Sequence, residues 1–327
     1  MIVRTTSQIL LKKNLRRIFF SLLLLSQMAP LFGINIIRQI ERQRTKKWER
    51  AGIHFMRFTD AQGDHGFYAK ITDKPKLVLI HGFGAAAQIQ WYDTARLLKD
   101  DFDLIIPDLL CSGASIVRDE NYSVEAQAKH IKAIIEHLGI KEKVILCGNS
   151  YGGLIAAHFA DSFPDFTQQL IIYDAPVKFY SLQYADSIAK EMGVENINNL
   201  LMPPGPEEMK ASLKVIYHKV PYIPDFVFNE MFDPSFPSTR DEQKKLLNDL
   251  IAKEKLYQNK EYQFNFPVGI LWGELDKLIP LSTAQSLISY FDVPAQRVHI
   301  FPEAAHAINM ERPKDFVREL KKVLAAS

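Results

Sequence analysis

The chain has 327 residues with 40 Lys+Arg against 38 Asp+Glu, a near-balance that leaves no bulk field for a nucleic-acid partner. Two cysteines, Cys111 and Cys147, exclude a disulfide-built scaffold and lack the spacing of a C-x-x-C metal site, so both read as reduced and packed. The length suits one large α/β domain with an insertion and an N-terminal tail.

Residues 1–50 differ in character from the rest. Lys12, Lys13, Arg16 and Arg17 precede an apolar run over residues 18–37. A basic flank and about twenty apolar residues fit a signal peptide or a single membrane anchor. No clean A-x-A site is present and Pro30 follows the one candidate alanine, which disfavours cleavage. Ser26, Gln27, Pro30 and Asn35 weaken a full span, so an interfacial helix and an amphipathic tail packed on the domain stay open. Basic residues on both sides leave orientation unset. The expectation is a membrane-associated chain held by a single N-terminal hydrophobic segment.

Two short alternating segments, residues 53–58 and 66–71, are split by residues 62–66 and predict a hairpin that opens the sheet. Residues 76–81 form a buried strand that runs into His81-Gly82-Phe83-Gly84. Glycines there allow a sharp turn that presents a backbone N–H to the neighbouring strand end, with Phe83 the natural donor to an oxyanion. His81 in that position is expected to brace the loop and not to act as a base. A helix over residues 90–98 and a strand over 102–108 follow. Ser123 to Leu138 then reads as an amphipathic helix stopped by Gly139.

Residues 143–158 hold the stretch on which the functional reading turns. Val144 to Cys147 has the pattern of a strand buried on both faces, and Gly148-Asn149-Ser150-Tyr151-Gly152 comes directly after it. A serine between strand and helix sits on a tight turn, where side chains at positions 148 and 152 would collide. The turn lifts the Ser150 hydroxyl above the sheet and leaves the Tyr151 N–H at a helix start. That arrangement suits nucleophilic attack on a carbonyl. A weak nucleophile also needs a base and an oxyanion site.

Another apolar strand, residues 169–175, completes a strand–helix cadence that means a parallel sheet covered on both faces. The cadence breaks over residues 177–265. Large apolar residues such as Tyr180, Leu182, Leu201, Met202, Met209 and Phe226 alternate with prolines 203, 204, 206, 221, 224, 234 and 237. These read as short helices of a cap inserted above the strand ends, a minority of their side chains lining an apolar pocket. The sheet resumes with residues 266–280, which deliver Asp276 to a strand-end loop. Residues 297–301 are the last strand, followed by His306 and a closing helix over 314–324. Domain boundaries are accordingly expected at 1–50, 51–176, 177–265 and 266–327.

The order Ser150, Asp276, His306, each just past a strand, is that of a hydrolase triad. With H-G-F-G, G-N-S-Y-G-G, W-G-x-x-D and the terminal A-H-x-x-x-x-E-R-P, the chain from about residue 50 onward resembles the α/β-hydrolase superfamily. Within it, the chain looks most like membrane-anchored monoacylglycerol lipases and related bacterial lipases. The cap stretches 202–209 and 220–224 carry part of that likeness. One departure is at Leu110 and Cys111, where the family has proline and glycine. The resemblance implies an α/β-hydrolase fold with a helical cap and no metal or organic cofactor. It also implies His306 as base, Asp276 as its orienting acid, and the Phe83 and Tyr151 N–H groups as oxyanion donors. Glu274 and Asp174 are alternative acids. Expected substrates are small acyl esters, probed first as acylglycerols. The competing readings are a carbon–carbon bond hydrolase of ring-cleavage products and an idle ligand-binding member of the fold. Ala307 counts against the first, whose members carry tryptophan after the histidine.

Overall fold

The computed structural model describes residues 36–232 and 239–326. The described residues divide into two compact units, residues 36–43 with 223–232, and residues 44–222 with 239–326. In the smaller unit, the Ile37 N–H donates to Glu230 Oε1 at 2.9 Å. Glu230 belongs to a short helix, Asp225–Met231, entered through Pro224.

The larger unit holds the sheet. Among the described residues nine strands take the order β1-β2-β4-β3-β6-β7-β8-β9, with β5 paired to β2. Their ranges are β1 His54–Thr59, β2 Gly63–Lys70, β3 Lys76–Ile80, β4 Asp103–Pro107, β5 Ile116–Val117, β6 Val144–Asn149, β7 Thr167–Tyr173, β8 Val268–Gly273 and β9 Val298–Phe301. β2 runs antiparallel to β1, β4 and β5, while β3, β4 and β6 to β9 are mutually parallel.

Alternation within the central strands shows how both faces are covered. Val78, Ile80, Val144, Leu146, Leu170 and Ile172 enter one apolar cluster. Leu77, Leu79, Ile145, Cys147, Ile171 and Tyr173 enter the other. Successive side chains of a strand point to opposite faces, so two cores on two faces follow from strands that are apolar at every position. Helices α1 Ile36–Arg50, α2 Ala87–Leu98, α3 Val124–His137 and α4 Tyr151–Ser162 precede β7. The Ser123 hydroxyl caps α3 by accepting from the Ala126 N–H at 3.2 Å, and Gly139, at φ 69°, ends that helix. Both cysteines are free and buried.

Two expectations change. The hairpin turn is tighter than residues 62–66 suggest, because Asp60 Oδ1 accepts from the Gln62 and Gly63 N–H groups at 2.8 and 3.3 Å. Asp64 and His65 therefore join β2, where Asp64 pairs with Arg57 and Arg118. The expectation of membrane association through a single hydrophobic segment is also corrected. Among the described residues, no helix is long and apolar enough to cross a membrane. Residues 36 and 37, the end of the expected anchor, instead begin α1, a helix rich in Arg and Lys. The remainder, residues 18–35, lies outside the described residues. The C-terminal half of α1 is tied to the sheet unit by Trp48, which is fully buried and donates through Nε1 to the Tyr92 carbonyl at 3.1 Å.

Among the described residues between β7 and β8 come helices and loops alone: α5 Leu182–Glu191, α6 Ile197–Leu201, α7 Pro206–Ile216, the Asp225–Met231 helix (α8), α9 Arg240–Ala252 and α10 Glu254–Asn259. After β8, α11 Leu281–Tyr290 leads to β9, and α12 Ile308–Glu311 and α13 Pro313–Ala325 close the chain.

Candidate active site

The loops after β3, β6, β7, β8 and β9 bring His81–Gly84, Ser150, Asp174, Asp276 and His306 to the carboxyl ends of parallel strands, where ligands of such sheets bind. Ser150 holds φ 54° and ψ −125°, a strained backbone setting for a residue with a side chain. Its surroundings leave no alternative. A Cβ on Gly148 would lie 2.2 Å from the Gly152 carbonyl oxygen, and one on Gly152 would lie 2.4 Å from that of His81. The helix thus passes over the strand at backbone contact. Ser150 N–H donates to the Tyr173 carbonyl at 3.0 Å, which pins the turn to the neighbouring strand.

Asp276 and His306 are both buried, and His306 Nδ1 lies 2.7 Å from Asp276 Oδ2. The other carboxylate oxygen accepts from the Leu278 and Ile279 N–H groups at 2.8 and 3.0 Å. A carboxylate saturated in this way fixes the imidazole with Nδ1 protonated and Nε2 available. Of the alternative acids, Glu274 is exposed and takes the Glu303 N–H at 3.3 Å. Asp174 is fully buried, and its carboxylate, that of Asp276 and a ring nitrogen of His306 lie within 4.8 Å of one another. Burial and the neighbouring Asp276 charge push its carboxyl well above the usual range. It accepts from the Gly273 N–H at 2.8 Å. Asp276 is therefore the acid on the histidine, with Asp174 buried beside the pair.

His81 braces its loop. One ring nitrogen, Nδ1, lies 2.8 Å from the Gly82 carbonyl and the other accepts from the Leu109 N–H at 3.0 Å. Full burial lowers its pKa to about 4, so it is neutral at pH 7 with both nitrogens engaged. The Gly82 N–H is taken by Gln90 Oε1 at 2.8 Å, which leaves the next amide, Phe83, as the candidate oxyanion donor. Tyr151, at the first position of α4, has an N–H without an intrahelical acceptor.

Phe83, Ser150 and Tyr151 line one cavity together with Leu154. The remaining wall is almost wholly apolar, with Leu182, Ile197, Leu201, Leu247, Leu250 and Ile251 supplied from α5, α6 and α9. Tyr180, Leu182 and Leu201 stand in the sequence only among the large apolar residues of the expected cap, with nothing to mark which of them face the pocket; the α9 residues do not stand out even there, because α9 is rich in charge. Their signal is the spacing of Leu246, Leu247, Leu250 and Ile251, a stripe on one helical face. Among the described residues no hydrogen bond links Ser150 to His306; the structure joins Asp276 to His306 and seats Ser150 with Phe83 and Tyr151. Sequence reasoning also misses Gln90, Tyr173 and Asn309, buried polar residues behind these loops.

The profile described as "Alpha/beta hydrolase family" matches residues 77–319, which span every strand-end loop above. The chain belongs to the alpha/beta hydrolase family. Among members of this family it is 25% identical over 285 residues to monoacylglycerol lipase ABHD6 of Bos taurus, covering 84% of this chain and 82% of that protein. Lipase 1 of Psychrobacter immobilis is 27% identical over 303 residues, covering 90% and 92%. The crystal structure of Lip1 from Acinetobacter baumannii AYE superposes with a TM-score of 0.74 at 24% identity, covering 87% of this chain and 95% of that one, a likeness of fold.

Proposed function

We propose that this alpha/beta hydrolase cleaves carboxylic esters, acylglycerols or like acyl esters, through an acyl-enzyme on Ser150. The observation that carries the reading is the seat of Ser150 on the wall of an apolar cavity, beside two candidate oxyanion amides. The names of the relatives, monoacylglycerol lipase and lipase, support the same substrate class.

In the proposed reaction His306 Nε2 takes the Ser150 proton as Oγ attacks the acyl carbonyl. In free enzymes such hydrogen bonds are often long and tighten only with substrate bound. Asp276 keeps the Nδ1 proton in place and stabilises the imidazolium. The Phe83 and Tyr151 N–H groups receive the oxyanion where charge develops. The tetrahedral intermediate collapses with His306 protonating the departing alcohol, and water then repeats the sequence on the acyl-serine. The described residues of 177–265 act as the cap, and their leucines and isoleucines hold the acyl chain.

Each acyl methylene buried against that wall contributes about 0.8 kcal/mol, several-fold in kcat/KM, until the cavity is full. The test is kcat/KM on aryl esters and monoacylglycerols of graded length. It should rise from acetyl to at least octanoyl and then level or fall. A maximum at acetyl with steady decline afterwards would contradict an acyl-chain pocket.

A further inference from the structure

Behind the loops that carry Gly82, Ser150 and His306, four buried residues close a circuit. Gln90 Nε2 donates to Asn149 Oδ1 at 2.7 Å, and Asn149 Nδ2 donates to the Tyr173 carbonyl at 3.3 Å. Tyr173 Oη accepts from the Asn309 N–H at 3.1 Å, and it lies 3.1 Å from Asn309 Oδ1 and 3.2 Å from the His306 carbonyl. Asn309 Nδ2 returns to the Gln90 carbonyl at 2.9 Å. All four residues are at least nine-tenths buried. The members come from α2, β6, β7 and α12.

The directions of the bonds at Asn149 and Gln90 are forced. The Tyr173 carbonyl can only accept, so Asn149 must present its NH2 there and its oxygen to Gln90. Gln90 must answer with its own NH2, which leaves Gln90 Oε1 for the Gly82 N–H. One side chain thereby sets the oxyanion loop and the serine turn, while its backbone carbonyl anchors the loop that carries His306.

We propose that Gln90 is a positioning residue for the reaction, holding the Gly82 peptide so that the Phe83 N–H faces the oxyanion and fixing Ser150 through Asn149. This rests on the serine-hydrolase reading above. Gln90 touches no reacting atom, and its effect lies in kcat because ground-state binding belongs to the apolar cavity. Fixed geometry of this kind is worth a great deal: displacement by about 1 Å, or loss of one oxyanion donor, costs on the order of 10²-fold in rate.

The test compares Gln90→Met and Gln90→Glu with the unaltered chain on p-nitrophenyl butyrate, with thermal unfolding followed at each pH. Gln90→Met fills nearly the same space without either hydrogen bond and should lower kcat by roughly 10²-fold at nearly constant KM. In Gln90→Glu the ionised carboxylate sets two acceptors against each other at Asn149. The protonated acid restores the donor, so activity relative to the unaltered chain should rise as pH falls. Equal kcat in Gln90→Met, or a pH-independent ratio in Gln90→Glu with both chains folded, would overturn the proposal. If Gln90→Met does not fold, the Gln90→Glu ratio decides alone. Failure of the unaltered chain to turn over the ester would instead count against the serine-hydrolase reading.

Discussion

The strand-end loops and the helical segment between β7 and β8 are built by opposite means. In the loops, functional side chains are over-determined: Asp276 accepts two backbone N–H groups as well as His306, and both nitrogens of His81 are engaged. Gly148, Gly152 and Gly273, next to those loops, sit where a single added carbon would strike backbone at under 3 Å. The helical segment offers the cavity leucines and isoleucines in short helices, tied down by a few side-chain bonds. Glu254 and Gln258, for example, accept from the Leu182 and Tyr180 N–H groups at 3.2 and 2.9 Å. Chemistry needs positions held to fractions of an ångström, whereas an acyl chain needs only apolar volume. Substitutions in the loops should therefore change rate, and substitutions in the helical segment should change which ester is preferred.

The largest expected effect tests the first half of that contrast. His306→Ala should lower kcat by roughly 10⁴-fold or more, and Asp276→Asn by less, because members of such a unit are not additive. Near-unaltered turnover in His306→Ala on any ester would break the division at its base. A smaller effect tests the second half. Leu250→Trp narrows the cavity from the helical side. It should shorten the best acyl chain by about two methylenes, roughly tenfold or more in kcat/KM for octanoyl, with acetyl ester little changed. A uniform fall across all chain lengths would show that α9 holds the chemistry as well as the chain.

The smallest effect concerns stability. His81 has a folded pKa of about 4, below the unfolded value of 6.5, so the unfolded chain binds the extra proton. Its contribution is complete above pH 6.5, declines as pH falls through the window from 6.5 to about 4, and is level below that, at most roughly 3 kcal/mol in all. His81→Gln should flatten the pH dependence of denaturant stability in that window by about one proton. An unchanged slope would mean that His81 already carries its proton when folded.

Much of this was legible before any coordinates, for physical reasons that differ by region. Strands buried on both faces read as unbroken apolar runs, and a serine turn at backbone contact demands glycine, so β3, β6, β8 and the residues after them stand out. Asp276 ranks above Glu274 and Asp174 already by the family resemblance; sequence order alone could not supply its 2.7 Å contact with His306, since all three acids follow strands. The circuit through Gln90, Asn149, Tyr173 and Asn309 was not legible. Its partners lie 24 to 219 residues apart in the chain, and no local period marks a glutamine on a buried helix face. The cavity residues of α9 were hidden for a related reason, as their stripe is set among Arg, Asp, Glu and Lys.

The central claim is that Ser150 carries the acyl group, and the most direct measurement is rapid acid quench of the chain during turnover of p-nitrophenyl octanoate, followed by peptide mass spectrometry. The account predicts a peptide containing Ser150 heavier by one octanoyl group, absent in Ser150→Ala and accumulating with the first burst of p-nitrophenol. Turnover with no acyl group on Ser150, or an unchanged burst in Ser150→Ala, would contradict it.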